Sequence, residues 1–281
     1  MRRERKIELA WFGKPGLDAQ ISARLLEALV RWAAILSAEM SMDITDDGVV
    51  SCVAHESHIA IVETKVARSA FMSYDAVPGW VGFDLRSVRN FLAAFVSAGA
   101  TAGRFDSALP RDIHPQAGDD IIAWQIKDEL SLHGSGTELS IRLLHDASHP
   151  KELLTTVAKK WPHVVEAKVS SESLKEAVKC CGSSCRAVVI EADNNGLTIT
   201  SRQGQTLKYS LRARTEWKGN RSPARSALDL AFMWPMVKEI PDSLEVTIGL
   251  GNDCPLVMEW HLGEYLKTHF AVCPLIDKKD K

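Results

Sequence analysis

Two stretches of this chain repeat one pattern, and that repeat limits the folds open to it. Leu25 opens LLEALVRWAAILSAEMSMDITDDGVVSC and Leu174 opens LKEAVKCCGSSCRAVVIEADNNGLTITS. Each runs from a helical apolar pattern, through a few residues, to an acidic strand, an Asp/Asn-Gly turn and a second strand. Leu25, Glu27, Ala28 and Leu29 align with Leu174, Glu176, Ala177 and Val178. The apolar spacing at Leu25, Leu29, Ala33 and Leu36 is helical. Asp47-Gly48 and Asn195-Gly196 predict hairpins, with a type I′ turn that needs φ > 0 at both central residues.

Two further pairs extend the repeat. DLRSVRNFLAAF from Asp84 matches DLAFMWPMVKEI from Asp229, each with Asp as an N-cap ahead of an amphipathic stretch. Pro235 is expected to kink or shorten the second helix. DIIAWQIKDELSLHGSGTELSIRL (Asp120 to Leu143) and LEVTIGLGNDCPLVMEWHLGEYLKTHFAV (Leu244 to Val272) alternate apolar and polar residues, as antiparallel meanders do. The expected fold class is α+β, with large antiparallel sheets and two helices on one face of each half. The expected division is 1–144, a connector over 145–163, and 164–281. The connector, HDASHPKELLTTVAKKWPH, lacks strand alternation and carries two prolines.

Apolar residues make up 46% of 281, ample for a core, and the formal net charge is −2. A chain basic all round is excluded, but a basic stripe is not. The basic start MRRERK is followed by Glu8, so no apolar signal core is expected. Arg31 interrupts the best apolar run, and no membrane span is expected. Six cysteines (52, 180, 181, 185, 254 and 273) lack paired C-x-x-C spacing and are expected to be reduced, in an intracellular protein. Cys180, Cys181 and Cys185 have no suitably spaced fourth ligand for zinc.

The segments LLEAL, MDITDDGVVSCVAHESHIAIVE, VGFDLRSVRNFL, EADNNGLTI, MVKEIPDSLEVTIGLGNDCPLVMEW and CPLID, in this order, resemble the DNA sliding clamp family, proliferating cell nuclear antigen and its archaeal relatives. The resemblance spans nearly the whole chain. It implies two topologically similar clamp domains per subunit, with sheets outside and helices around a central hole. Three subunits would close head to tail around double-stranded DNA, intracellularly (nuclear in a eukaryote). It further implies no catalysis and no cofactor. The expected partners are DNA polymerase, clamp loader, ligase and nucleases, docking through short peptides. The alternative is a clamp-fold subunit of a hetero-ring or checkpoint-type scaffold.

Cations sit off the apolar stripe of every helix: Arg24 and Arg31, Arg86 and Arg89, Lys175 and Lys179, and Lys238. Together they make a candidate surface for phosphates without base readout. Solvated helix faces also carry such residues for solubility. Relative to the family, Val30, Asn90 and Ala93 stand where cations are common. The family's subunit-pairing strands map to Leu139, Ile141 and Leu143 on one side, and to Leu207, Tyr209 and Leu211 on the other. Its partner pocket maps to Ala54, His58 and Ile61, to Pro255, Pro274 and Ile276, and to a lid of Leu153, Leu154, Val157 and Trp161. Ala271 replaces a customary aromatic residue, and the connector is longer and more basic than usual. HESH (His55 to His58) invites a metal or hydrolase reading, but its histidines lack the i, i+4 helical spacing of H-E-x-x-H. NDCP around Cys254 reads as a turn between strands.

Overall fold

The computed structural model describes residues 14–99, 121–134, 136–144, 157, 161, 163–182, 185–193, 196–201, 207–218 and 223–275. The first half runs β1 (Gly16–Ser22), α1 (Ala23–Ala33), β2 (Glu39–Thr45), β3 (Gly48–Ala54), β4 (Ala60–Ala67), β5 (Phe71–Val77), β6 (Gly79–Asp84), α2 (Leu85–Gly99), β7 (Ile121–Ile126), β8 (Glu129–Gly134) and β9 (Thr137–Arg142). The second half repeats that order: β10 (Val165–Ser170), α3 (Ser171–Gly182), β11 (Ala187–Asp193), β12 (Gly196–Ser201), β13 (Lys208–Leu211), β14 (Arg214–Trp217), β15 (Ala224–Asp229), α4 (Leu230–Glu239), β16 (Glu245–Leu250), β17 (Leu256–Leu262) and β18 (Leu266–Val272). Among the described residues no helix is long and apolar enough to cross a membrane.

The sheets show how the halves join. Five strands, β5-β1-β7-β8-β9, form one antiparallel sheet, and four, β13-β12-β11-β15, form another. The third has nine strands, β14-β10-β16-β17-β18-β4-β3-β2-β6. It is the second half's five-stranded sheet fused to the first half's four-stranded one. The fusion is an antiparallel seam from Leu266↔Val66 to Val272↔Ala60. Strand alternation then puts Val62, Val66, Phe270 and Val272 in the main core. Ile61, Glu63 and Lys65, with Lys267, His269 and Ala271, occupy the opposite face of the seam.

The helices cover the core face. α1 packs on β1, β3 and β4, α3 on β10 to β13, and α4 on β15 and β18. Asp84 Oδ2 accepts from the Ser87 N–H at 3.0 Å, and Asp229 Oδ1 from the Ala231 N–H at 2.9 Å, so both aspartates cap their helices. The helix from Leu230 continues through Pro235 to Glu239 and, at ten residues, is the shortest of the four α-helices among the described residues. At the seam Trp32 is fully buried, meeting Trp260 edge-on at 5.4 Å and 87°.

The first hairpin departs from the expected type I′ turn. Asp46 and Asp47 form the turn, and only Gly48, the next residue, has positive φ, at 135°. The reason is a close approach. A Cβ on Gly48 would lie 2.1 Å from the Val66 carbonyl oxygen of β4. Tyr74 of β5 clasps the same hairpin, its hydroxyl within 2.6 Å of the Thr45 oxygen and 2.7 Å of the Gly48 oxygen.

Candidate functional site

The structure divides the seven candidate cations by their surroundings. Arg86 and Arg89 on α2 and Lys179 on α3 are exposed, as is Lys238, which approaches Glu239 at 3.7 Å. Arg24 is half-buried. Arg31 reaches Glu239 at 3.4 Å, and Lys175 is ion-paired with Asp242. Both acidic partners lie at or just beyond the end of α4, where an acidic C-terminal turn gathers nearby cations. Burial on α1 pushes the Glu27 carboxyl upward, with Glu239 adding and Arg31 and Arg24 opposing. Glu239 also accepts from Trp32 Nε1 through its backbone oxygen at 3.1 Å. Arg31 and Lys175 are therefore held in place by the second half's acids, a constraint that helix periodicity does not reveal.

The candidate pocket residues are brought together in part. Ile61 and Val157 join Cys52 and Ala271 in an apolar cluster separate from the main core, flanked by Ala54, Trp161 and Val257. Cross-strand register explains the floor, because Val257, Ala271, Ile61 and Ala54 form one row across β17, β18, β4 and β3. Val157 and Trp161 come from the segment between β9 and β10, tied by a Trp161 N–H to Val157 carbonyl bond of 3.0 Å. Pro255 is buried and Pro274 half-buried, neither of them in this cluster. His58 is exposed on the β3–β4 loop at φ 55°. Leu153, Leu154 and Ile276 lie outside the described residues.

One row further along the same face is a charged ladder that no sequence motif announces. Register aligns Glu259, His269, Glu63 and Cys52 across the four strands. His269 Nε2 lies 2.7 Å from Glu259 Oε2, and its Nδ1 lies 3.6 Å from Glu63 Oε1. His261 and Lys267 add contacts of 2.8 and 3.0 Å to Glu259, and Lys65 adds one of 3.1 Å to Glu63. Burial works against the His269 charge, but the two carboxylates outweigh it and raise its pKa. The His269 hydrogen bond foremost holds Glu259 far below the usual carboxylate range. Glu63 is also lowered, burial being outweighed by His269 and Lys65. The only cue in the sequence is the i, i+2 spacing of Glu63/Lys65, Glu259/His261 and Lys267/His269.

The ladder makes the seam's stability proton-linked. The carboxylates contribute above their ordinary range and lose that contribution as pH falls through their lowered values. His269 contributes fully below the ordinary imidazole value, about 6.5, and loses it as pH rises through its raised value. The melting temperature is therefore expected to peak between those ranges and to fall by about 2–4 °C on the alkaline side. His269→Gln should flatten that alkaline fall. Equal falls in both proteins by calorimetry would remove the ladder from the account.

The two candidate subunit strands are edges. Among the described residues β9 pairs only with β8, and β13 only with β12, while Leu144, beyond β9, bridges to Gly82 of β6. Leu139, Ile141, Leu143 and Tyr209 pack partly against the core and Leu211 is buried, whereas Leu207, just before β13, is 43% exposed. The histidines of HESH diverge. His55 stacks edge-on against Phe232 at 4.9 Å, and its Nδ1 meets Ser57 Oγ at 2.7 Å. Among the described residues no group of three or more His, Cys, Asp or Glu is arranged to hold a metal ion. No disulfide joins the six cysteines.

No protein-family model matches the chain. A DNA polymerase sliding clamp of Pyrococcus furiosus is 21% identical over 262 residues, covering 91% of this chain and 96% of that protein. One from Methanothrix thermoacetophila is 22% identical over 266 residues, covering 94% and 100%. Among solved structures, A. fulgidus PCNA bound to the C-terminal region of FEN-1 has a TM-score of 0.73 at 15% identity, covering 94% of this chain and 100% of that one. PCNA from Thermococcus kodakaraensis has a TM-score of 0.71 at 19% identity, covering 92% and 100%.

Proposed function

We propose that this chain, whose fold is that of the PCNA-type sliding clamps, is a DNA sliding clamp. Three copies close head to tail into a ring around duplex DNA and tether DNA polymerase and other replication and repair enzymes to it. Each copy supplies two clamp domains, 1–144 and 164–281, joined by the connector 145–163. The ring performs no chemistry of its own.

The observation that carries this reading is the pair of unfinished sheets. Within the chain, β18 meets β4 and builds a continuous nine-stranded sheet. Their counterparts in the repeat, β9 and β13, each end a sheet without a partner. A head-to-tail contact between them joins the five-stranded and four-stranded sheets into a second nine-stranded sheet, and the ring closes when its rotation suits. The exposed cations on α2, α3 and α4 face the duplex phosphates, giving contacts that hold without reading sequence. The cluster around Ile61 receives partner peptides, as the FEN-1 segment bound to the A. fulgidus relative suggests.

Light scattering tests the ring. The expected mass at micromolar concentration is three times the 31.0 kDa chain. A mass of one chain at every concentration would overturn it.

A further inference from the structure

The repeat allows the joint between copies to be read from the joint within one. Helix starts at Ala23 and Ser171 match Ala19 of β1 to Ala167 of β10. Their neighbours Trp124 and Ile248 then correspond, as do Leu132 and Met258 on the next strands. One strand further, Leu139 corresponds to Phe270. Glu138 is therefore the counterpart of His269, and His133 of Glu259. On the other side, Gly48 matches Gly196 and Val66 matches Leu211. Lys208 is then the counterpart of Glu63, and Leu207 of Val62.

Within the chain Phe270 faces Val62 and His269 faces Glu63. Transferring that register to β9 and β13 sets Leu139 opposite the exposed Leu207 of the next copy, covering it. It also sets Glu138 opposite Lys208. The ladder's order is preserved while its charges exchange at two positions, with a carboxylate, Glu138, in the place of His269 and a cation, Lys208, in the place of Glu63. Inside the chain it reads carboxylate, imidazolium, carboxylate through Glu259, His269 and Glu63. Between copies it reads His133, Glu138, Lys208, of which His133 and Glu138 already lie 3.6 Å apart.

We propose that Glu138 and Lys208 form a charge-coded joint between copies of this chain. In it β9 of one copy seats antiparallel on β13 of the next, in the register that sets Glu138 opposite Lys208. The exchanged charges keep the two joints distinct. β9 placed on β4 would set Glu138 against Glu63, and β18 placed on β13 would set His269 against Lys208. Like charges directly opposite on adjacent strands disfavour a pairing, and such repulsion selects partners as effectively as attraction does. The proposal rests on the head-to-tail ring and adds its register and the reason wrong strands are refused.

Reversal of charge tests it in the full chain by sedimentation over a dilution series. Glu138→Lys and Lys208→Glu, each alone, are expected to weaken assembly by about tenfold or more per joint. The double variant should return to the wild-type range. Both side chains are exposed, so unchanged circular dichroism and melting of the dissociated chain show that folding is intact. Glu138→Lys combined with Arg212→Glu serves as the register control, because Arg212 faces Glu138 only when Ser140 pairs with Ser210. Rescue by Arg212→Glu and not by Lys208→Glu would overturn the register. A wild-type ring indifferent to both single reversals would overturn the charge code while leaving the ring standing. A wild-type chain that never assembles would overturn the ring itself, and the joint with it.

Discussion

Trp32→Ala should cost this chain about 3–5 kcal/mol of stability, a large share of the roughly 5–15 kcal/mol that holds a domain folded. The indole is fully buried where the halves meet. It packs edge-on against Trp260 of β17, and its Nε1 donates to the Glu239 backbone oxygen at the end of α4. Truncation leaves a cavity spanning both halves and a carbonyl without its donor. Trp32→Phe separates the two contributions, since it fills most of the space and loses only the hydrogen bond, about 1 kcal/mol. Urea unfolding measures both. An alanine variant within about 1 kcal/mol of wild type would show that the site collapses around the gap, contrary to this account.

On the proposed clamp function, Ile61→Arg should weaken binding of a FEN-1 C-terminal peptide by about a hundredfold or more in calorimetry, because it puts an unpaired charge in an apolar floor. Ile61 is buried beside Cys52, Ala271 and Val157. Its strand neighbours Ala60 and Val62 point the other way, into the main core, so the substitution alters the outer surface and leaves the inner packing in place. A melting temperature near that of the wild type confirms that separation. Retained affinity would mean that peptides dock elsewhere on the molecule.

Much of this was legible in the sequence, for physical reasons. Helix and strand periods are local, so LLEALVRWA and LKEAVK announce their helices, and both capping aspartates lie one residue before the helix they cap. The edge strands were placed by the resemblance to the clamp family, since no local signal separates an edge strand from an inner one. What was hidden depends on register between distant strands. Glu63 and His269 lie on strands far apart in sequence, and nothing near either residue says that they meet. The same limit applies to Arg31 and Lys175, whose helical positions suggested free cations until Glu239 and Asp242 came into place. The hairpin at Asp47-Gly48 shows a third kind of miss. The glycine is required, but by the passing backbone of β4 and not by a mirror-image turn.

The fused nine-stranded sheet also bears on how such an assembly comes apart. The β4–β18 joint has both strands on one covalent chain, so after rupture it re-forms at a rate independent of protein concentration. A joint made by β9 and β13 of different copies has no such tether, and its population follows mass action. Dilution therefore acts on alternate joints of a structure whose joints share one topology. The proposed ring would then open between copies, and each released copy would keep its own nine strands together.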